Sequence, residues 1–245
     1  MKVLYRITDS KNGKTRPPNF DKKRVFLHFL KCFPKALSKN EIYVFGDNIS
    51  DETYDFLCKH VTKKNVHKTS LGNSESYLYI CRFALKNFAE SDINEKVYFA
   101  EDDYIYTENA EKIIEEGLEV GDYVSGYDHP DKYTYPGCEG TNPFVRDGGE
   151  DTRVILSDSS HWKYTNSFCM TFATRLITIY EDYELYERFC KNYNAPYDFQ
   201  MCLTLKKEKG RRLLSCIPSV STHCETMFMA KFIDWDSILE NMPYP

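Results

Sequence analysis

Val97-Tyr98-Phe99-Ala100-Glu101-Asp102-Asp103-Tyr104 is the stretch on which the reading of this chain turns. An apolar strand runs directly into three carboxylates. Adjacent carboxylates repel one another unless a cation or solvent compensates them, and in open α/β sheets ligands bind outside the carboxyl ends of the strands. A Mg²⁺ or Mn²⁺ ion held by one or two carboxylates plus substrate phosphates is the usual compensation. Acids at such a point also cap the following helix or simply face water.

Outward from this stretch, strands and helices alternate. Strands are expected at 2–8, 41–45, 65–69, 96–100 and 122–125. Asp21 caps a helix with Val25, Phe26, Phe29, Leu30 and Phe33 on one face. Further helices are expected at 51–60 and 108–118, and the clearest at 74–88, where Tyr77, Leu78, Cys81, Ala84, Leu85 and Phe88 recur at helical spacing. Such alternation predicts the α/β class, a mostly parallel sheet covered on both faces. Residues 127–149 dissolve into Pro, Gly, Asp and Tyr and read as a long loop of the kind that carries binding function. Beyond it, a strand is expected at 152–156, an apolar run at 168–180 leading into an acidic helix at 181–191, a helix from Pro196 to about residue 207, and a strand at 212–217. A tail follows, with a short helix near Trp235. The chain shows no repeat and no dividing linker, so 1–245 is expected to be one domain.

Composition narrows the function classes. With 42% hydrophobic and 28% charged residues the chain has the balance of a soluble globular protein. Its formal net charge of -5 argues against a nucleic-acid partner, which needs a surplus of Lys and Arg. The nine cysteines, Cys138 among them, form no CxxC pair and lie partly in apolar runs. Buried thiols in a reducing, cytoplasmic setting are the expectation, rather than a zinc site or a disulfide framework. No signal peptide and no transmembrane segment is visible.

An acidic cluster about 100 residues in, after βαβαβα, resembles the DxD element of GT-A glycosyltransferases, here in the form Glu101-Asp102-Asp103. The resemblance spans roughly residues 1–226. It implies a Rossmann-like GT-A fold and a metal-dependent transfer of sugar from a nucleoside diphosphate-sugar, a UDP-sugar first, to an acceptor hydroxyl. Residues 1–126 would bind the donor and 127–245 the acceptor. Mn²⁺ or Mg²⁺ would sit on Asp103, with Asp102 near the ribose and Glu101 mainly structural. Arg6, Thr8 and Asp9 end the first strand, where such enzymes begin their nucleotide pocket. Asp47, in the turn after the strand at 41–45, could accept hydrogen bonds from a base or ribose. Asn73 and Ser74 follow Gly72 at a helix start, where phosphate or ribose oxygens are welcome. His223 would complete the metal or diphosphate site, its ring nitrogen suiting Mn²⁺ better than Mg²⁺.

Acceptor residues are expected in the second half. Trp162, read in a polar loop beside His161, would offer an aromatic face to a sugar ring, unless it packs on the core. The resemblance places the general base of inverting members at Asp198, at a helix start. Many members show Glu-Asp there and this chain shows Tyr197-Asp198, whereas a Glu181-Asp182 pair reads as mid-helix and peripheral. Lys231 and Arg212 are spare cations for a diphosphate. The acceptor would be a glycan, a protein or a lipid-linked molecule. Two rival readings stand beside this one. A sugar-phosphate nucleotidyltransferase is disfavoured by the single Gly in the segment 6–14, and a non-catalytic nucleotide- or carbohydrate-binding protein would suit the 19 tyrosines.

Overall fold

Residue alternation along the first strands settles how the chain is layered. The computed structural model describes residues 1–11, 13–134 and 142–245. Its first half runs β1 (Lys2–Ile7), α1 (Lys22–Cys32), α2 (Pro34–Ser38), β2 (Ile42–Asp47), α3 (Asp51–His60), β3 (Val66–Thr69), α4 (Asn73–Phe88), β4 (Lys96–Glu101), β5 (Tyr104–Tyr106), α5 (Ala110–Gly117) and β6 (Tyr123–Ser125). The second half adds β7 (Val145–Arg146), β8 (Gly149–Glu150), β9 (Val154–Leu156), β10 (His161–Tyr164), β11 (Phe172–Arg175), α6 (Leu176–Cys190), α7 (Asp198–Lys209), β12 (Leu213–Ile217), β13 (Ser221–His223) and α8 (Trp235–Glu240).

Side chains on a strand alternate between the two faces of a sheet. Val3, Tyr5, Ile7, Tyr98 and Ala100 point into one core, where they meet Phe26, Phe29 and Phe33, Phe56 of α3, Ile114 of α5 and Trp235 of α8. Leu4, Val97 and Phe99 point into the other, with Tyr77 and Leu78 of α4, Tyr186 of α6 and Met201 of α7. One sheet therefore lies between two helical layers.

Nine strands form that sheet in the order β3-β2-β1-β4-β11-β6-β12-β10-β9. β11 and β10 run antiparallel to their neighbours, and the other strands share one direction. It is a mixed α/β sheet, mostly parallel, as the alternation predicted. From β1 the chain moves outward through β2 to β3, then returns to place β4 on the other side of β1. Right-handed crossovers that reverse direction must put their helices on opposite faces. Accordingly α1 and α3 lie on one face and α4 on the other. The reversal point between β1 and β4 is where an open sheet leaves a crevice at its strand ends.

Local chemistry supports these elements. The Asp21 carboxylate accepts from the Arg24 amide and caps α1, and the Ser50 hydroxyl caps α3 through Thr53. Buried Arg24 donates to the carbonyls of Leu239 and Met242, fastening the end of α8 to α1. Asp182 proves fully buried rather than peripheral. It accepts from Tyr123 at 2.7 Å and from two nitrogens of Arg211 at 2.8 and 2.9 Å.

Several expectations are corrected. The apolar run at 168–180 divides into β11 and the start of α6, which begins at Leu176, well before the expected 181. β5 and β13, three residues each, are too short for periodicity to announce. The expected loop at 127–149 holds a turn at Pro130–Lys132 and the hairpin β7–β8, while residues 135–141, Cys138 included, lie outside the described residues. The described cysteines are free thiols. Among the described residues no helix is long and apolar enough to cross a membrane.

Trp162 departs most from its expected role. It lies in β10, not in a loop, and is fully buried. Its indole nitrogen donates to Ser157 at 3.1 Å, and its ring packs so closely on Gly117 that a Cβ there would approach it within 2.5 Å. A side chain so enclosed offers no face to a sugar. Trp162→Ala is expected to lower unfolding stability by about 3–5 kcal/mol, the range for truncating a core aromatic. Urea unfolding checks this, and a loss below about 1 kcal/mol would contradict the core role.

Candidate active site at the strand ends

The carboxyl ends of β1, β2 and β4 open onto a cleft of about 460 Å³. Arg6, Thr8, Asp47, Asn73, Asp102, Asp103, Asp198 and His223 all line it. Residues spread over 218 positions of sequence thus converge on one cleft. His161 and Trp162 do not line it, and neither do Arg212 and Lys231. The exposed His161 belongs to β10, and Arg212 lies 3.6 Å from Asp122 at the start of β12.

Each acid of the cluster has a different set of partners. Asp102 accepts from the Thr8 amide at 2.7 Å and stands 3.0 Å from the Lys22 ammonium, so it ties β4 to the segment leaving β1. Asp103 lies 2.8 Å from the Arg16 guanidinium and 3.0 Å from the His223 ring, all on one oxygen, Oδ2. Glu101, with Arg6 at 3.9 Å, keeps 24% of its side chain open to the cleft. Burial and then the Asp103 charge push the Glu101 carboxyl up to about 7. Burial would raise Asp103 as well, but His223, Arg16 and Lys14 hold it far below the usual carboxylate range.

His223 reaches Asp103 through backbone pairing. β13 runs antiparallel to β5, with His223 opposite Tyr104, and the Cys224 amide donates to the Asp103 carbonyl at 2.7 Å. Two three-residue strands therefore join a histidine to an aspartate 120 positions earlier.

Asp47 has a different task from the one expected. Its Oδ1 accepts from the Leu71 amide at 2.7 Å and Thr69 at 3.2 Å, and its Oδ2 from the Gly72 amide at 3.1 Å, Arg6 at 3.3 Å and Asn48 at 3.3 Å. Such a carboxylate is already occupied, so it shapes the approach to α4 instead of meeting a base or ribose. Gly72, at φ 80°, makes the turn into α4, a conformation costly for a residue with a Cβ, and nothing lies within 4 Å of where that Cβ would be. Asn73 begins the helix at the cleft wall. Asp9 faces away to α3, accepting from the Ser50 amide at 2.8 Å and Thr53 at 2.9 Å.

Across the cleft, Asp198 opens α7 and accepts from the Phe199 amide at 2.7 Å. Its burial raises the carboxyl above the ordinary aspartate range, against the pull of His129, Lys132 and Lys14. Met170, Cys169, Ala195 and Pro196 supply the drier wall around it. A partly desolvated carboxylate that can still ionise is the type of group that takes a proton from a hydroxyl.

Sequence reading did not single out Lys14, Arg16 and Lys22. The signal was present as three cations within nine residues, from the loop after β1 to the first residue of α1, but periodicity says nothing of loop residues. Their position bears on the metal expected at Asp103 and His223. Among the described residues no group of three or more His, Cys, Asp and Glu is placed to hold an ion. Asp103 Oδ2 already carries a guanidinium, and Lys14 Nζ lies 3.2 Å from His223 Nε2. Asp103 and His223 are thus each engaged by a cation of the chain.

No family model matches the sequence, and no curated protein matches it. Among solved structures, the chain is similar to A197 from STIV (15% identity, 96% of this chain and 87% of that one, TM-score 0.41). It is also similar to the galactosyltransferase LgtC, solved with donor and acceptor sugar analogues (14% identity, 83% and 69%, TM-score 0.41). A third is a 4-diphosphocytidyl-2C-methyl-D-erythritol synthase (9% identity, 98% and 96%, TM-score 0.43). Likenesses of this size carry no argument about chemistry, which rests on the cleft itself.

The raised Asp198 carboxyl has a consequence for stability. A carboxyl whose folded pKa exceeds its unfolded value binds its proton more tightly in the native state, so ionised Asp198 costs stability at neutral pH, and that cost disappears as pH falls through the raised value. Asp198→Asn should therefore unfold at a higher temperature than the parent at pH 7–8, with the difference shrinking towards pH 3–4. Thermal midpoints across that range check it. A variant less stable than the parent at pH 8 would show that Asp198 is not desolvated.

Proposed function

We propose that the chain transfers a sugar from a nucleoside diphosphate-sugar to an acceptor hydroxyl, with Asp198 as general base. The observation that carries this reading is the pairing of two unlike walls in one cleft. On one wall, at the reversal of strand order, stand Arg6, Lys14, Lys22 and the start of α4. On the other stands a carboxylate whose burial favours its protonated form. The first suits an anionic donor, since cations and a helix N-terminus attract phosphate. The second suits an acceptor.

In the proposed step the acceptor oxygen attacks the anomeric carbon as Asp198 takes its proton. The new C–O bond forms while the bond to the diphosphate breaks, and the leaving nucleoside diphosphate carries away the electron pair. Stabilising that growing charge is the main catalytic demand. A single displacement inverts the anomeric centre, so a product of retained configuration would overturn this part of the reading. The donor is expected first among UDP-sugars, and the acceptor is a glycan, a protein or a lipid-linked molecule. A divalent ion, where one is used, would arrive with the diphosphate and find Asp103 and His223.

A second reading, nucleotidyl transfer to a sugar phosphate, is favoured by one observation: the loop from β1 to α1 brings Lys14, Arg16 and Lys22 to the acidic cluster. Diphosphate release from a nucleoside triphosphate would mark it. A non-catalytic binding protein would instead bind its ligand equally well without Asp198.

Hydrolysis of a panel of UDP-, GDP- and dTDP-sugars tests the main reading. The parent should slowly hydrolyse one donor. Asp198→Asn should lower that rate by about 10²–10⁴-fold, the usual share of a general base, and leave donor affinity within about threefold. Equal rates in parent and variant would remove Asp198 from the mechanism.

A further inference from the structure

We propose that a surface track leading out of the cleft past Tyr193 and Tyr197 binds a glycan chain, so that the acceptor is an oligosaccharide held on two aromatic rings beside Asp198. The proposal rests on the reading of Asp198 as the group that faces the acceptor, and it names the class of that acceptor.

The track is continuous with the cleft. Ala195 and Pro196 line the cleft and also a neighbouring groove of about 410 Å³, whose other walls are Asn192, Tyr193, Asn194 and Tyr197. Asn192 and Tyr193 in turn line a hollow of about 420 Å³ that continues over Glu187, Arg188 and Lys191 at the end of α6. The three spaces follow one another through the residues they share. A single sugar at the reacting centre would use none of this length, whereas a chain of linked sugars would.

Two rings stand along it. Tyr197 immediately precedes Asp198, and its ring meets that of Tyr193 at 4.4 Å between centroids and 65° between planes. Tyr193 is 45% exposed and Tyr197 53%. Their backbone is nonetheless fixed. The Tyr193 amide donates to the Cys190 carbonyl at 3.2 Å and the Tyr197 amide to the Phe189 carbonyl at 2.9 Å, while Asn192 makes the turn between helix and loop at φ 67°, which Asn tolerates better than most residues. The rings are thus held open to solvent at set positions instead of folding onto the core. Aromatic faces pack against the C–H faces of sugar rings, and side-chain amides such as those of Asn192 and Asn194 both donate to and accept from hydroxyls.

The same walls select among acceptors. They are a helix end and a loop, so an extended peptide finds no strand edge to pair with. In the far hollow Glu184 and Glu187 balance Arg188 and Lys191, so no basic field draws in an anionic lipid surface. A chain of uncharged hydroxyls and C–H faces matches what remains.

A glycan array covering the common hexose, hexosamine and uronate linkages tests this, followed by calorimetry with the glycan that binds best and with its constituent monosaccharides. Both are run on the parent, Tyr193→Ala, Tyr197→Ala, Tyr197→Phe and Tyr180→Ala, with thermal unfolding to confirm that each is folded. Tyr180 is an exposed tyrosine of α6 that lines neither the cleft nor the track. The expected result is an oligosaccharide that binds more tightly than its monosaccharides. Tyr193→Ala and Tyr197→Ala should each weaken it about tenfold or more, the scale for truncating a contact tyrosine, while Tyr197→Phe, which keeps the ring, and Tyr180→Ala should stay within about threefold of the parent. The proposal fails if no glycan on the array binds, if Tyr193→Ala and Tyr197→Ala bind as the parent does, or if all three alanine variants weaken alike. It also fails if a peptide library binds at these tyrosines and no glycan does. Donor hydrolysis separates this proposal from the reading beneath it. A glycan bound through Tyr193 and Tyr197 with no nucleotide-sugar hydrolysed leaves the track standing and removes the transferase reading, and a hydrolysed donor with no glycan bound does the reverse.

Discussion

Burying Asp102 and Asp103, with Glu101 half-buried beside them, is the constraint around which this end of the molecule is arranged. A charge taken from water without a partner is costly, and neighbouring like charges add to the cost. Glu101, Asp102 and Asp103 meet it with partners from three separate parts of the chain: Arg6 on β1, Thr8 and Lys22 at the two ends of the loop that follows it, and Arg16 with His223 of β13. The loop from β1 to α1, the antiparallel pair β5–β13 and the end of the central strand are therefore one electrostatic unit. It sits at the point where the strand order reverses, because there the sheet leaves room for side chains and loops to gather.

The two walls of the cleft obey opposite rules. Near β4, close cations hold Asp103 charged despite its burial. At α7, no cation among the described residues forms an ion pair with Asp198, and burial moves it the other way. One site thus holds a carboxylate lowered by the cations of the loop after β1 and another raised by burial beside the apolar wall. This separation of roles by environment is how a pair of chemically identical groups serves two steps of one reaction.

How much of this was legible in the sequence depends on range. Where the hydrophobic period was long, as in α4 with Tyr77, Leu78 and Cys81, the element and its buried face could be read directly. Asp102, Asp103 and Asp198 could be named because they sit at the ends of such elements. Trp162 could not be placed, because β10 is a short strand whose inward alternation looks polar in a stretch with Ser, His and Lys. Asp47 was rightly placed at the cleft but given the wrong task, since the amides that occupy it come from a turn 24 and 25 positions later. Lys14 and Arg16 were invisible as site residues for the same reason: a loop carries no period, and only the fold shows what it crosses.

The interleaving of the sheet also sets an order in time. β1, β2, β3 and β4 pair with one another and can assemble as soon as the first hundred residues have left the ribosome. β6 has no such freedom, because its neighbours are β11 and β12, which are synthesised some 50 to 90 residues later. Until β11 arrives, β4 is an open edge, and until β13 arrives Asp103 lacks its histidine. During synthesis Asp103 therefore waits for its histidine with Arg6, Arg16 and Lys22 already made, and the enclosed site comes into being only once residue 223 has been added. A chain stopped before residue 172 would leave β4 as an exposed strand, and one stopped before residue 223 would leave Asp103 without its histidine. The shorter of these half-made products presents an edge for mispairing.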